Sequence, residues 1–263
     1  MRAYWAIVSA RFRMLLQYRA AAAAGFGTQL FWGLVRIMIL EAFYRSTTAK
    51  QPMSLEQAID YIWLGQAMLM MLPAWLDIEV TAMIRSGTVV YELLRPLDLY
   101  SLWFSRAVAA RTAPTVLRAV PMFIAAGLFF GLRAPASPAS AAAWLLAVLG
   151  ALLLTCAIST LLTISLLWTI SGEGIFQLTN TCMWIFSGML VPLPLFPDWA
   201  QGALNVLPFR GLMDIPARLY SGNLSPGVAG ALFLHQVLWA AGLILIGRLL
   251  LARGARRLVV QGG

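Results

Sequence analysis

Six stretches of this chain run for 16 to 30 residues with few or no charged side chains: 21–43, 61–76, 112–132, 141–170, 175–191 and 228–250. About 20 apolar residues in a helix match the hydrocarbon thickness of a bilayer. A helix also pairs its own backbone groups, which lipid cannot do for it. The pattern predicts an all-α integral membrane protein with six transmembrane helices. The second stretch is short, and the fourth is long enough to tilt or protrude. Pro135 and Pro138 interrupt the chain before the fourth stretch, and Ser171-Gly172-Glu173-Gly174 interrupts it before the fifth.

Composition agrees: 61% of the 263 residues are hydrophobic and only 11% are charged, where a soluble domain carries about a quarter charged. The missing charge is missing water-facing surface. A net charge of +9 would suit nucleic acid, but basic residues flanking apolar spans set topology and meet anionic headgroups. The partner indicated is membrane lipid, with no nucleic acid. Within residues 1–20, Tyr4, Val8, Arg11 and Leu15 follow helical spacing, and Arg2, Arg13 and Arg19 lie among them. This suits a helix lying in the membrane interface. The basic region is too long and too amphipathic for a cleaved leader.

Arginine and lysine counts give the orientation. With the N-terminus inside, the inner segments hold twelve: Arg2, Arg11, Arg13, Arg19, Arg85, Arg95, Arg106, Arg111, Arg248, Arg253, Arg256 and Arg257. The outer segments hold five: Arg45, Lys50, Arg133, Arg210 and Arg218. Both termini are therefore expected in the cytoplasm.

The chemistry-bearing motifs are sparse. Lys50 is the only lysine and follows Thr47-Thr48-Ala49, so no Gly-rich phosphate loop ending in Lys-Ser/Thr exists. There is no His-Glu-x-x-His, paired Cys-x-x-Cys or Gly-x-Ser-x-Gly. Cys156 and Cys182 lie in apolar runs and read as buried thiols. His235, the only histidine, reads as a helix-interface residue. No catalytic residue, metal site or cofactor is expected in this chain. Glu41, Asp60, Asp77 and Glu79 sit at span ends and Glu173 in a turn, so no acid stands at mid-membrane to carry protons. Arg36 and Arg118 lie near span ends, where an arginine can snorkel and anchor; cargo binding is the other reading. No internal repeat is visible, which argues against inverted-repeat transporters.

Two segments exceed what spanning requires. The inner segment 77–111 contains Gly87-Thr88-Val89-Val90-Tyr91-Glu92-Leu93-Leu94-Arg95-Pro96-Leu97. Pro96 should end any helix at or before Arg95, and Leu93, Leu94 and Leu97 offer an apolar face beside charges. That face suits docking into a groove of a cytoplasmic partner, or an ordinary interfacial helix. The outer segment 192–227 holds Pro192, Pro194, Pro197, Pro208, Pro216 and Pro226. Its apolar runs 199–207 and 209–219 are each too short to span, and they fit two half-helices that dip into the outer leaflet and return. Backbone at that depth must be buried in protein or line a wet cavity, which suits a gate over an exit path or an inert cap.

With these segments in place the chain resembles the type-2 ATP-binding-cassette exporter permeases along nearly its whole length. The most specific likeness is the Pro-rich hairpin between the fifth and sixth spans, with Ser187, Gly188, Pro192, Pro197, Trp199, Pro208 and Phe209 at the family's positions. The segment from Gly87 through Glu92-Leu93-Leu94-Arg95-Pro96-Leu97 looks like a bacterial branch of these permeases often found as paired, non-identical subunits. The resemblance implies a multi-pass subunit of the bacterial cytoplasmic membrane that moves hydrophobic or amphipathic cargo outward. It implies a second permease, identical or paralogous, and a separate cytoplasmic ATPase subunit that holds ATP and Mg. It assigns coupling to Gly87, Tyr91, Glu92, Leu94, Arg95 and Pro96, and an outer gate to Gly188, Pro192, Pro197, Trp199, Pro208 and Phe209. Scarce lysine beside abundant arginine and alanine fits a GC-rich bacterial genome. A passive channel or assembly scaffold is the competing class. A membrane-embedded lipid enzyme would need a charged or nucleophilic cluster at an interface, and none is visible.

Overall fold

The computed structural model describes residues 2–169 and 172–255, and every regular element among the described residues is helical. Ile170, Ser171, Arg256 and Arg257, used above to bound a span, a turn and a charge count, lie outside the described residues. In chain order the α-helices are α1 (Arg2–Leu15), α2 (Arg19–Ser46), α3 (Leu55–Met68), α4 (Ile78–Arg85), α5 (Val90–Leu93) and α6 (Leu99–Phe129). Then come α7 (Pro138–Ser165), α8 (Glu173–Phe186), α9 (Asp198–Val206), α10 (Asp214–Tyr220) and α11 (Ala229–Gly254).

Side-chain caps start helices where a polar residue precedes an apolar run. Ser54 and Gln57 bond reciprocally, the Gln57 amide donating to Ser54 Oγ at 3.2 Å and the Ser54 amide to Gln57 Oε1 at 3.0 Å. This pairing satisfies two otherwise unpaired donors at the start of α3. Asp98 accepts from the Ser101 amide at 2.9 Å to open α6, and Ser137 accepts from the Ser140 amide at 3.0 Å to open α7. Pro138 then sits in the first turn of α7, where its missing N–H costs nothing.

Helices α2, α6, α7 and the stretch Pro226–Gly254 are long and apolar enough to cross a membrane. Of these α7 is central, with far more of its surface covered by protein than the others. Small residues let α11 approach it: a Cβ on Gly150 would stand 2.2 Å from Gln236 Oε1, and Ala147, Ala151 and Ala240 are buried nearby. The outer faces are apolar stripes. Val116, Val120, Ile124 and Leu128 line an exposed face of α6 at four-residue spacing, and Leu234, Leu238, Leu245 and Leu249 an exposed face of α11. Such continuous apolar surface needs lipid rather than water to cover it. The protein is a multi-pass membrane protein.

The structure departs from the expected spans in instructive places. Helices α3 and α8 have 14 residues each, about 21 Å, against about 30 Å of hydrocarbon. Eight consecutive α3 residues, Tyr61 to Met68, are buried, so that helix meets protein on all sides and its length answers to its neighbours. Trp63 shows how closely: a Cβ on Gly33 of α2 would lie 2.5 Å from its ring, and its indole N–H donates to the Phe130 carbonyl at 2.8 Å. Helix α6 has 31 residues, about 46 Å, and begins at Leu99, well before the expected 112. The segment 77–111 therefore contains α4, α5 and the first turns of α6 rather than a loop. Arg106 and Arg111 interrupt the apolar run there, but both find partners within the protein.

Candidate functional site

The residues singled out from the sequence gather at the two ends of α6. At its start, α4 and α5 sit on a lattice of charges contributed by four elements. Asp77 caps α4 by accepting from the amides of Glu79 at 3.1 Å and Val80 at 3.2 Å. Its carboxylate also pairs with Arg11 of α1 at 3.2 Å and Arg106 of α6 at 3.1 Å. The same two guanidiniums reach Glu79, at 2.9 Å and 2.5 Å. Arg106 stands 3.5 Å from Glu92 of α5, and the Trp103 indole donates to the other Glu92 oxygen at 2.7 Å.

Burial alone would raise the Asp77 pKa, but the hydrogen bond and charge of Arg106, with the charge of Arg11, outweigh it and hold the carboxyl below its usual range. Glu79 is held low chiefly by its hydrogen bond from Arg11. Asp98 also ends below its usual value: burial pushes it up, and bonds from Ser101 and the nearby Arg248 more than reverse that.

This lattice fixes where the expected coupling residues point. Gly87 ends α4 at φ +74°, a left-handed position that favours glycine. Helix α5 is a single turn. Tyr91 and Leu94 project outward, 69% and 76% exposed, and Arg95 and Pro96 are exposed beside them. Glu92 does not join them. It is 4% exposed, with one oxygen held by the Trp103 indole and the other beside Arg106. Of the residues to which the resemblance assigns coupling, Glu92 is thus the buried one. In the sequence, Arg11, Asp77, Glu79 and Arg106 stand out only as topology markers or span-end charges. The Asp77-x-Glu79 pair directly before an apolar helix was the visible signal, since acids there cap a helix start.

At the other end of α6 the segment 192–227 folds as two short helices, α9 and α10, joined by a 3-10 turn over Pro208–Gly211. Gly188 takes φ +85°, and a Cβ there would stand 1.8 Å from the Tyr61 hydroxyl. That hydroxyl donates to buried Asp214 at 3.1 Å, and Asp214 also pairs with Arg218 at 3.4 Å. Pro192 precedes a 3-10 turn over Leu193–Leu195, and Pro197 precedes α9. The Gln201 amide closes this bend by donating to the Leu193 and Phe196 carbonyls, both at 2.9 Å. Phe209 packs against Phe186 with ring centroids 6.2 Å apart. Trp199 stays exposed on the outer face of α9, whereas α10 is almost wholly buried. Gln236 of α11 donates to the carbonyls of Ala147 at 2.9 Å and Gly211 at 2.7 Å. One amide thus ties α7, α11 and the root of the hairpin together.

A family model described as "ABC-2 family transporter protein" matches residues 21–262. The chain belongs to that family. The permease is thus the membrane subunit of an ATP-binding-cassette transporter, a class that works with an ATP-binding-cassette partner in general. Helix α1, which anchors Arg11 in the lattice, precedes the matched residues. Comparison with curated proteins gave no match, and neither did comparison with solved structures.

Proposed function

We propose that this permease is an exporter subunit that moves hydrophobic or amphipathic cargo outward, driven by a separate ATPase subunit that carries ATP and Mg. In this reading α3 and α8 complete six crossings, both termini face the cytoplasm, and the membrane is the bacterial cytoplasmic one. The excess of arginine around α1, α4 and the end of α11 supports that orientation. A second permease, identical or paralogous, completes the assembly. The α4–α5 segment docks on the ATPase, and the α9–α10 hairpin gates the outer side.

The observation that carries the reading is the pair Tyr91 and Leu94. Both are largely exposed on a single turn, yet that turn is held by an ion lattice reaching α1 and α6. An apolar surface on so firm a base suits the transmission of force from a docked partner into α6. Leu94→Asp tests it, since a carboxylate forced into an apolar groove loses water without gaining a partner. Co-purification of the partner ATPase subunit should fall at least tenfold while membrane insertion is unchanged. Undiminished capture of the ATPase by the variant would refute the docking assignment and favour a passive channel or scaffold.

A further inference from the structure

Beside the charge lattice lies a cavity of ≈ 310 Å³ enclosed by the end of α1, the α3–α4 connection, α6 and α7. Its volume is at the small end of the about 300–1,000 Å³ typical of ligand sites, enough for a headgroup and the beginning of a chain. The wall is mainly apolar, with Trp103 and Met70 inside. Trp75 and Ile78 line it and are exposed, which places them at its mouth.

Four polar residues in this wall are more than nine-tenths buried: Arg111 at 6%, Ser159 at 7%, Thr160 at 1% and Thr163 at 5% exposure, and of these the Thr163 hydroxyl is already bonded, donating to the Ser159 carbonyl at 3.0 Å. Arg111 Nη1 donates to the Leu72 carbonyl at 3.0 Å, and its Nη2 donates to the Trp75 carbonyl. Its Nε, the Ser159 Oγ and the Thr160 Oγ1 have no hydrogen-bond partner among the described residues. No carboxylate among the described residues lies within ion-pairing distance of Arg111. Asp77 also lines the cavity, but its oxygens are taken by Arg11, Arg106 and two backbone amides.

Unpaired buried donors are costly, and a buried cation without a counter-charge is more so. Here one guanidinium and two hydroxyls with donors to spare border the same cavity, a donor set that suits an oxyanion once a side-chain rotation turns it inward. The exposed Trp75 at the mouth is the kind of side chain that sits at a membrane–water interface.

We propose that this cavity binds the phosphate or carboxylate headgroup of an anionic membrane amphiphile, with Arg111, Ser159 and Thr160 as its donors and the apolar wall against the first part of its chain. The proposal does not depend on the direction of transport or on the ATPase assignment. A bound headgroup would bridge α6 and α7 directly beneath the segment that holds α4.

The test uses the purified full-length permease in phosphatidylcholine nanodiscs. Quenching of tryptophan fluorescence is measured as phosphatidate with brominated acyl chains is added, and again with equally brominated phosphatidylcholine. Trp75 and Trp103 are within the cavity wall, and Trp75→Phe identifies the share of the signal that comes from the mouth. The expected result is saturable, Trp75-dependent quenching by phosphatidate above the level it shares with phosphatidylcholine, which comes from lipid-facing tryptophans such as Trp32, and at least roughly tenfold weaker phosphatidate binding in Ser159→Ala/Thr160→Val, which loses two charge-assisted hydrogen bonds. That double variant leaves the Arg111 clamp on the Leu72 and Trp75 carbonyls intact, so folding is preserved. Arg111→Gln should abolish binding wherever it folds. Inorganic phosphate is added as competitor. Displacement of the lipid only at millimolar phosphate supports the amphiphile, whereas displacement at micromolar phosphate reassigns the site to the free anion and overturns the lipid proposal. Equal quenching by the two lipids, or unchanged affinity in the double variant, overturns it entirely and leaves a hydrated gap.

Discussion

Gly188→Ala should be among the most damaging single-methyl changes in the protein. The residue stands at φ +85°, where an L side chain costs about 1–2 kcal/mol. The new Cβ would lie 1.8 Å from the Tyr61 hydroxyl and 3.0 Å from the ring carbon that bears it. Tyr61 is buried on all sides, so the hydroxyl has to leave Asp214, a buried acceptor 3.1 Å away. Depriving a buried carboxylate of one donor costs about 1–3 kcal/mol, which brings the total to about 2–5 kcal/mol. For a chain of this size that lowers the unfolding temperature by about 5 °C or more. Thermal unfolding in detergent measures it, with Gly27→Ala as control, since a Cβ at Gly27 meets nothing within 4 Å. The mechanism makes a sharper demand in a double-mutant cycle with Tyr61→Phe. Once the hydroxyl is gone, Gly188→Ala should retain only the backbone strain and cost about 1–2 kcal/mol. Equal costs in both backgrounds, or a Gly188→Ala protein as stable as the Gly27→Ala control, would refute the reasoning.

Single cysteines placed near Arg95 and Arg253 should label only from the cytoplasmic side of intact cells, and those near Lys50 and Asp198 only from outside; external labelling near Arg95 would overturn the orientation. Pro208→Ala with Phe209→Ala loosens the joint between α9 and α10 and removes the ring packed on Phe186, so cargo export should drop while expression and ATPase assembly persist. Export equal to the unaltered protein would make the hairpin a cap. The pH dependence follows from Asp77 and Glu79, whose folded pKa values lie below the ordinary ones. Their contribution is complete above the unfolded carboxylate range of about 4 and disappears as pH falls through the lowered folded values. The unfolding temperature should therefore decline between about pH 5 and pH 3, and Asp77→Asn with Glu79→Gln should flatten that decline. An identical slope in the variant would count against the lattice as its source.

Much of this fold was legible because lipid imposes strong patterns. The uninterrupted apolar runs of α7 and α11 needed no partner to be recognised, and Pro197 and Pro208 marked the start of α9 and the turn after it. What escaped depended on contacts between distant residues. The start of α6 was hidden because Arg106 and Arg111 look like loop residues until Asp77, Glu79 and two carbonyls are brought beside them. Asp60 likewise masked the first turns of α3; its burial is tolerable only because Arg133, 73 positions away, donates to it at 2.7 Å and 3.1 Å. Around α5, spacing placed Leu93 and Leu94 together, but nothing local showed that Glu92 would turn inward to Trp103.

The Gln236 amide has a mechanical corollary. It holds the Gly211 carbonyl to α7 and α11 in a setting with no water to replace it, and α10 beyond is enclosed by protein. Lifting that half of the hairpin would strand the Gly211 carbonyl and the Gln236 N–H that holds it. The α9 half buries Leu204 and Ala200, and its Val206 carbonyl accepts from the Trp239 indole of α11 at 2.9 Å, while the Trp199 and Val206 side chains stay outside. Between them, Leu207 adopts an extended backbone ahead of Pro208. Both halves of the hairpin are therefore anchored on α11, α10 through the Gly211 carbonyl and α9 through the Val206 carbonyl, so a displacement of either half has to break its own anchor first.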